Sequence, residues 1–159
     1  MPRETHRLTF LRNNWYNENY LPQLASAAES GVLMGSTHGG TVASASRANF
    51  AAAAAVVLTT PGHDNVVYEL SGDTAYDYTA LAAAIGAAIG KPVTYTDLTT
   101  EAHVAALKQV GLDQATAEFV AQIDAGIAAG ALSEVSPDLA RLIGRPTTPL
   151  IDTLRAAAA

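Results

Sequence analysis

The chain has 159 residues, 49% of them hydrophobic and 15% charged, enough to bury a real core and unlike a disordered composition. The net charge is -6, and nine Lys and Arg lie scattered with no basic run, which argues against a nucleic-acid footprint. There is no Cys, which removes disulfides, a thiolate nucleophile and cysteine metal sites.

The N-terminus lacks the apolar core of a signal peptide, and the longest apolar run, Phe50 to Leu58, is too short to cross a bilayer. These features point to a soluble, cytoplasmic protein with no membrane partner. Much of the apolar fraction is alanine, which favours helices but buries little area per residue.

In chain order, Arg7 to Leu11 reads as a short buried strand. It runs into a dense polar and aromatic stretch. Leu8 to Tyr20 holds four Asn, one Glu, two Tyr and the only Trp of the chain. Asn19 to Ser30 reads as a helix with Pro22 in its first turn, stopped by Gly31. Val32 to Gly35 is a strand candidate and Ser36 to Gly40 a glycine-containing loop.

Ser46 or Asn49 caps the next helix, whose body is Phe50 to Leu58 and whose end is Pro61-Gly62. Val66 to Leu70 is a strand. Thr74 to Asp77 has capping-box spacing ahead of a helix carrying Leu81, Ile85, Ala88 and Ile89 on one face. Gly90-Lys-Pro92 stops it, and Val93 to Leu98 alternates like a half-buried strand.

Helices follow over Glu101 to Val110 and Asp113 to Ala128, the latter with a small-residue face of Ala117, Val120, Ala121, Ala125 and Ala128. A short helix spans Pro137 to Ile143, and Thr148-Pro149 opens the last. The alternation of strands and helices is an α/β pattern with three or four strands.

Four motifs in order carry a resemblance. Arg12-Asn13-x-Trp15-Tyr16-x-Glu18-Asn19-Tyr20 resembles the signature after the sixth strand of NmrA-like, atypical short-chain dehydrogenase/reductases, nearest to the type 2 NAD(P)H:quinone oxidoreductases. Ala45 to Ala53 is similar to that family's Arg-Ala-Asp/Asn helix opening, Tyr68 to Gly72 to its penultimate strand and turn, and Ile143 to Thr148 to its Gly-Arg/His-Pro-Thr element.

The resemblance implies a single unit over 1–159, the C-terminal, substrate-side portion of an NAD(P)-binding Rossmann-like fold. Full-length relatives open with a Gly-x-x-Gly-x-x-Gly turn that cradles pyrophosphate, and this sequence has none. The chain is therefore expected to be a truncated unit, incompetent for turnover alone. The implied activity is reduction of a small molecule, a quinone above all, by hydride transfer from NAD(P)H, with NADPH favoured.

By the same resemblance, Asn13, Trp15 and Tyr16 face the cofactor, while Tyr16, Glu18, Asn19 and Tyr20 face the substrate. Amides can fix a carboxamide or carbonyl, and aromatic rings stack on a nicotinamide or quinone. The same side chains can instead pack a core and cap a helix. No catalytic residue is assigned: the chain holds no Tyr-x-x-x-Lys dyad, no Gly-x-Ser-x-Gly and no spacing suggestive of Ser-His-Asp.

Arg12 reads as half of a structural ion pair, and His38 as a solvated loop residue. His6, His38, His63 and His103 are too dispersed for a metal site. Two alternatives stay open: a non-catalytic NAD(P)-sensing regulator, and an association-prone fragment that forms a homodimer through an unpaired sheet edge.

Overall fold

The computed structural model describes residues 7–158. Four short strands make two separate two-stranded parallel sheets. β1 (Phe10–Asn13) pairs with β3 (Val67–Leu70), in the register Phe10 to Val67 through Asn13 to Leu70. β2 (Val32–Gly35) pairs with β4 (Thr94–Asp97). The two parallel units interleave along the chain, since β2 lies between β1 and β3 and β3 lies between β2 and β4. The carboxyl ends of all four strands are the places where parallel sheets build ligand sites.

Seven helices complete the described part: α1 (Leu21–Ser30), α2 (Arg47–Thr59), α3 (Tyr78–Ile89), α4 (Thr100–Gln109), α5 (Gln114–Ala128), α6 (Asp138–Ile143) and α7 (Leu150–Ala158). Local chemistry explains their ends. The Ser46 side chain caps α2, and the Thr99 and Asp113 side chains cap α4 and α5. Gly31, Gly90 and Gly144 close α1, α3 and α6 in the left-handed conformation that only glycine adopts without cost.

Several expectations need correction. The first strand is displaced to Phe10–Asn13 and is largely exposed, not buried. Phe10 is 54% exposed and its partner Val67 45%, because α2 and α6 cover the other face of this sheet. The segment expected to begin a helix at Asn19 instead makes a 3-10 turn, Asn17–Tyr20, before α1 starts at Leu21. Thr74 does not cap α3; Asp77 does, accepting the Ala80 N–H at 2.8 Å. On α5 the buried stripe is Ala117, Ala121, Asp124 and Ile127, while Ala125 and Ala128 face outward.

Two apolar clusters form the interior. One gathers Tyr20, Leu24, Leu33, Tyr78, Leu81 and Ile85 around β2, α1 and α3. The other packs Phe50, Tyr68, Leu70 and Leu139 under β1 and β3. Between them runs a buried extended segment, Val42 to Ser46, with its backbone satisfied from four directions. Val42 exchanges hydrogen bonds with Tyr76, Ala43 N–H donates to Leu132 O, Gly72 N–H donates to Ala43 O, and Ala45 bonds with Trp15 and Asn17. A buried backbone needs such pairing, so this segment sets where the Trp15 loop, the α3 approach and the chain after α5 meet.

Candidate functional site

The Asn13 to Tyr20 loop leaves the carboxyl end of β1 and divides into an outer and an inner part. Asn13 is exposed, and its Nδ2 donates to the Tyr16 hydroxyl at 3.3 Å. Trp15 and Tyr16 are half-buried. The Tyr16 ring meets Phe50 edge-on at 5.3 Å, with the Arg47 guanidinium 4.9 Å from its centroid. Asn14 shapes the bend: its Oδ1 accepts the Trp15 N–H at 2.6 Å and its Nδ2 donates to Leu132 O at 3.2 Å.

The remaining loop residues have structural work. Asn17 is fully buried, donates to Thr153 Oγ1 at 3.1 Å and accepts from the Ser44 hydroxyl, which also bonds to Tyr76. Both Glu18 carboxylate oxygens accept the Arg47 N–H at 3.0 Å. Glu18 thus places a negative charge at the start of α2, where the helix dipole favours it. Asn19 Oδ1 accepts from Arg47 at 3.3 Å.

Tyr20 is 2% exposed and sits edge-on to Tyr76 and Tyr78. Burial, with the two neighbouring tyrosines, pushes its hydroxyl far above the ordinary tyrosine range. A phenol so held keeps its proton at neutral pH. Arg12 pairs with Glu69 at 2.6 Å on the exposed face of the β1–β3 sheet, an ion pair that contributes little in water.

Beside Asn13, the ends of β1 and β3 frame a small hollow of about 150 Å³ bounded by Asn14, Ser71, Leu132 and Ser136. It is too small to enclose a whole dinucleotide.

A second polar assembly, undetected in the sequence, lies at the carboxyl ends of β2 and β4. The histidines read as partnerless are not. His103 is buried, with Nδ1 3.1 Å from Ser36 Oγ and 3.2 Å from Asp124 Oδ2. Asp124 Oδ2 also accepts the Ser36 backbone N–H at 2.7 Å. Ser, His and Asp are therefore together, but not as a hydrolytic relay. A relay needs the serine and the carboxylate on opposite ring nitrogens, and here both are at Nδ1.

His38, read as a solvated loop residue, has left-handed backbone (φ 49) and holds Asp97 through its backbone N–H and ring. Burial would push the Asp97 carboxyl up; hydrogen bonds from Tyr95 and His38 outweigh it and hold Asp97 below the ordinary carboxylate range. Tyr95, half-buried and beside that carboxylate, is pushed up to about 12. His63 bonds to the Tyr68 hydroxyl at 2.7 Å, and His6 lies outside the described residues. Among the described residues, no three metal-ligating side chains come together.

One signal in the sequence pointed to the second assembly. Asp124 falls in helical register with Ala117, Ala121 and Ile127, which puts a carboxylate on an otherwise apolar stripe.

No family model matches the chain. It is 47% identical over 146 residues to quinone oxidoreductase 2 of Escherichia coli (strain K12), a match covering 92% of this chain and 51% of that protein. The crystal structure of the NADPH-dependent quinone oxidoreductase from Escherichia coli complexed with NADPH superposes with a TM-score of 0.87 at 44% identity, over 94% of this chain and 53% of that chain. The triphenylmethane reductase of Citrobacter sp. complexed with NADP(H) gives a TM-score of 0.87 at 31% identity, again over 94% and 53%.

The chain is thus homologous to the Escherichia coli protein and spans about half the length of the curated relatives it matches. Its mixed α/β fold is that of a portion of NAD(P)-binding Rossmann-like reductases. No helix among the described residues is long and apolar enough to cross a membrane.

Proposed function

We propose that this chain forms the substrate- and nicotinamide-side portion, as a single unit, of a cytoplasmic NADPH-dependent oxidoreductase that reduces quinone-type small molecules. The observation that carries this reading is the match, over nearly all of this chain, to a quinone oxidoreductase whose structure holds NADPH. The geometry fits the nicotinamide end of the cofactor. Asn13 leaves an unburied amide at the end of a parallel strand, in hydrogen-bond contact with the Tyr16 hydroxyl, and Trp15 and Tyr16 follow it on the same loop.

In this reading Asn13 orients the carboxamide, and Trp15 and Tyr16 exclude water from one side of the ring. The dinucleotide itself supplies the hydride. Glu18, Asn19 and Tyr20 contribute by fixing the loop rather than by touching the reacting atoms. The pyrophosphate needs a Gly-rich turn that this sequence lacks, so a second segment must furnish that wall.

The test supplies that wall as a separate polypeptide, the N-terminal half of the Escherichia coli enzyme. NADPH oxidation with a simple quinone in the mixture, and with neither half alone, is the expected result. Asn13→Ala lowers the rate while leaving the fold intact, because the side chain is exposed. A mixed complex, verified by size-exclusion chromatography, that neither enhances NADPH fluorescence nor oxidises NADPH defeats the reading. Binding without turnover assigns the chain to the sensor class instead.

A further inference from the structure

A cavity of about 390 Å³ lies between the start of α3, the start of α7 and the turn that follows β3. That volume is within the range of small-molecule sites. The cavity shares no lining residue with the hollow beside Asn13 or with the space lined by His103 and Asp124. Its body is apolar. Ala80 and Ala84, one helical turn apart on α3, give one wall, and their small side chains leave the space open. Leu150 and Ile151, in the first turn of α7, give another.

The polar edge carries one sign of charge. Asp73 is the only charged side chain in the lining, and three threonines, Thr74, Thr147 and Thr148, share the lining with it. Asp73 and Thr147 form a reciprocal clip. Asp73 Oδ2 accepts the Thr147 N–H at 2.7 Å, and Thr147 Oγ1 accepts the Asp73 N–H at 3.2 Å. The clip fixes the carboxylate before any ligand arrives, which lowers the ordering cost of binding. The second oxygen, Oδ1, takes no hydrogen bond from another described residue.

Nothing basic balances that carboxylate. No Lys, Arg or His lines the cavity. Arg145, next to the lining in sequence, donates instead to the Pro146 carbonyl at 3.2 Å. A helix start attracts anions, but each one here already has a carboxylate. Asp77 accepts the Ala80 N–H at α3, and Asp152 lies in the first turn of α7.

We propose that this cavity binds a small primary ammonium ion carried on a compact apolar body. The ammonium meets Asp73, and the body lies against α3 and α7. An ammonium has three donors and no acceptor, which matches an edge of carboxylate and hydroxyl oxygens. The site lies outside the Asn13 loop and uses neither NADPH nor a quinone, so it stands independently of the reductase reading.

The full chain, labelled with nitrogen-15, is titrated at neutral pH with benzylammonium, benzyl alcohol and benzoate, three probes of similar size and different charge. Saturable amide shifts centred on Asp73, Thr74, Thr148 and Ile151 are expected. Benzylammonium binds about fivefold tighter than benzyl alcohol, the upper end for a solvent-accessible ion pair, and benzoate binds most weakly. Added salt narrows the preference. Asp73→Asn keeps an oxygen for the Thr147 N–H and brings the ammonium and the alcohol to equal affinity. Ala80→Trp, at an exposed position of α3, fills the cavity and removes saturation by both.

Linear shifts, shifts centred elsewhere on the chain, or an alcohol or benzoate that binds as tightly as the ammonium overturn the proposal. A preference that survives Asp73→Asn, or saturation that survives Ala80→Trp, overturns it as well. If Asp73→Asn does not fold, the three probes on the wild-type chain and Ala80→Trp decide. The mixed-half assay reads the reductase separately: turnover there neither supports nor removes this site.

Discussion

The Asp124 carboxylate accepts the backbone N–H of Ser36 at 2.7 Å across 88 positions of sequence. That contact fastens α5 to the end of β2, and His103 joins it from α4. One buried carboxylate therefore ties the α4–α5 hairpin to the end of β2. Asp124→Ala leaves the Ser36 N–H and His103 without their acceptor and should cost about 3 kcal/mol. Asp124→Asn retains an oxygen for Ser36 and should cost about 1 kcal/mol. Urea denaturation measures both, and amide exchange at Ser36 should accelerate in the alanine variant. An unchanged midpoint for Asp124→Ala would show that packing, not this contact, seats the hairpin.

Two glycines separate steric from conformational demand. A Cβ on Gly72 would collide with the Ser44 carbonyl oxygen, in the buried segment that joins the two halves of the core. Gly72→Ala should cost at least about 3 kcal/mol, since backbone must move. Gly39 has φ +80 but open space around it, so Gly39→Ala should cost about 1 kcal/mol from backbone strain alone. Thermal melts of the pair test the ranking, and equal losses would contradict it.

Glu18 tests whether the motif loop is structural at that position. Its carboxylate caps α2 through Arg47. Glu18→Ala should lose about 1 kcal/mol of stability, a drop of a few degrees in melting temperature. If Glu18 served only a substrate, the melting temperature would not move.

The buried tyrosines predict alkaline behaviour. Burial raises Tyr20, Tyr78, Tyr76 and Tyr95, the last two to about 12. A raised pKa in the fold means the neutral phenol is favoured there. The stability linked to these groups is complete below the ordinary tyrosine value of 10.0 and is lost as pH rises through the folded values. Phenolate absorbance should therefore appear for these four together with unfolding. Smooth titration of these four tyrosines near 10.0 in the folded protein would refute the burial.

The uncovered face of the β1–β3 sheet predicts association. Leu8, Phe10 and Val67 are exposed there together, whereas parallel strands are ordinarily covered on both faces. Sedimentation velocity should show concentration-dependent self-association through this face, a different route from the unpaired sheet edge expected from the sequence, and Phe10→Glu should suppress it. A monomer at all concentrations, indifferent to Phe10→Glu, would remove this route.

Capping and punctuation were legible from residues alone. Ser46, Gly31 and Gly90 act where their chemistry places them, because a cap or a left-handed stop involves only neighbours within a turn. Thr74 misled for the same reason: Asp77, three residues on, offers the better acceptor at the position where the helix begins. The polar loop after β1 was visible as a concentration of amides and rings, and the order of four motifs was enough to reach the reductase resemblance.

Sequence alone placed the helices to within a few residues and marked the loop that carries Asn13, since periodicity and local hydrogen bonding act over a few residues. Only the tertiary structure decided which of that loop's side chains stay outside, that β1 keeps one bare face, and that Ser36, His103 and Asp124 converge. Those outcomes depend on contacts between segments far apart in the chain, 88 positions in the case of Ser36 and Asp124. No local pattern encodes which distant donor a buried carboxylate will meet.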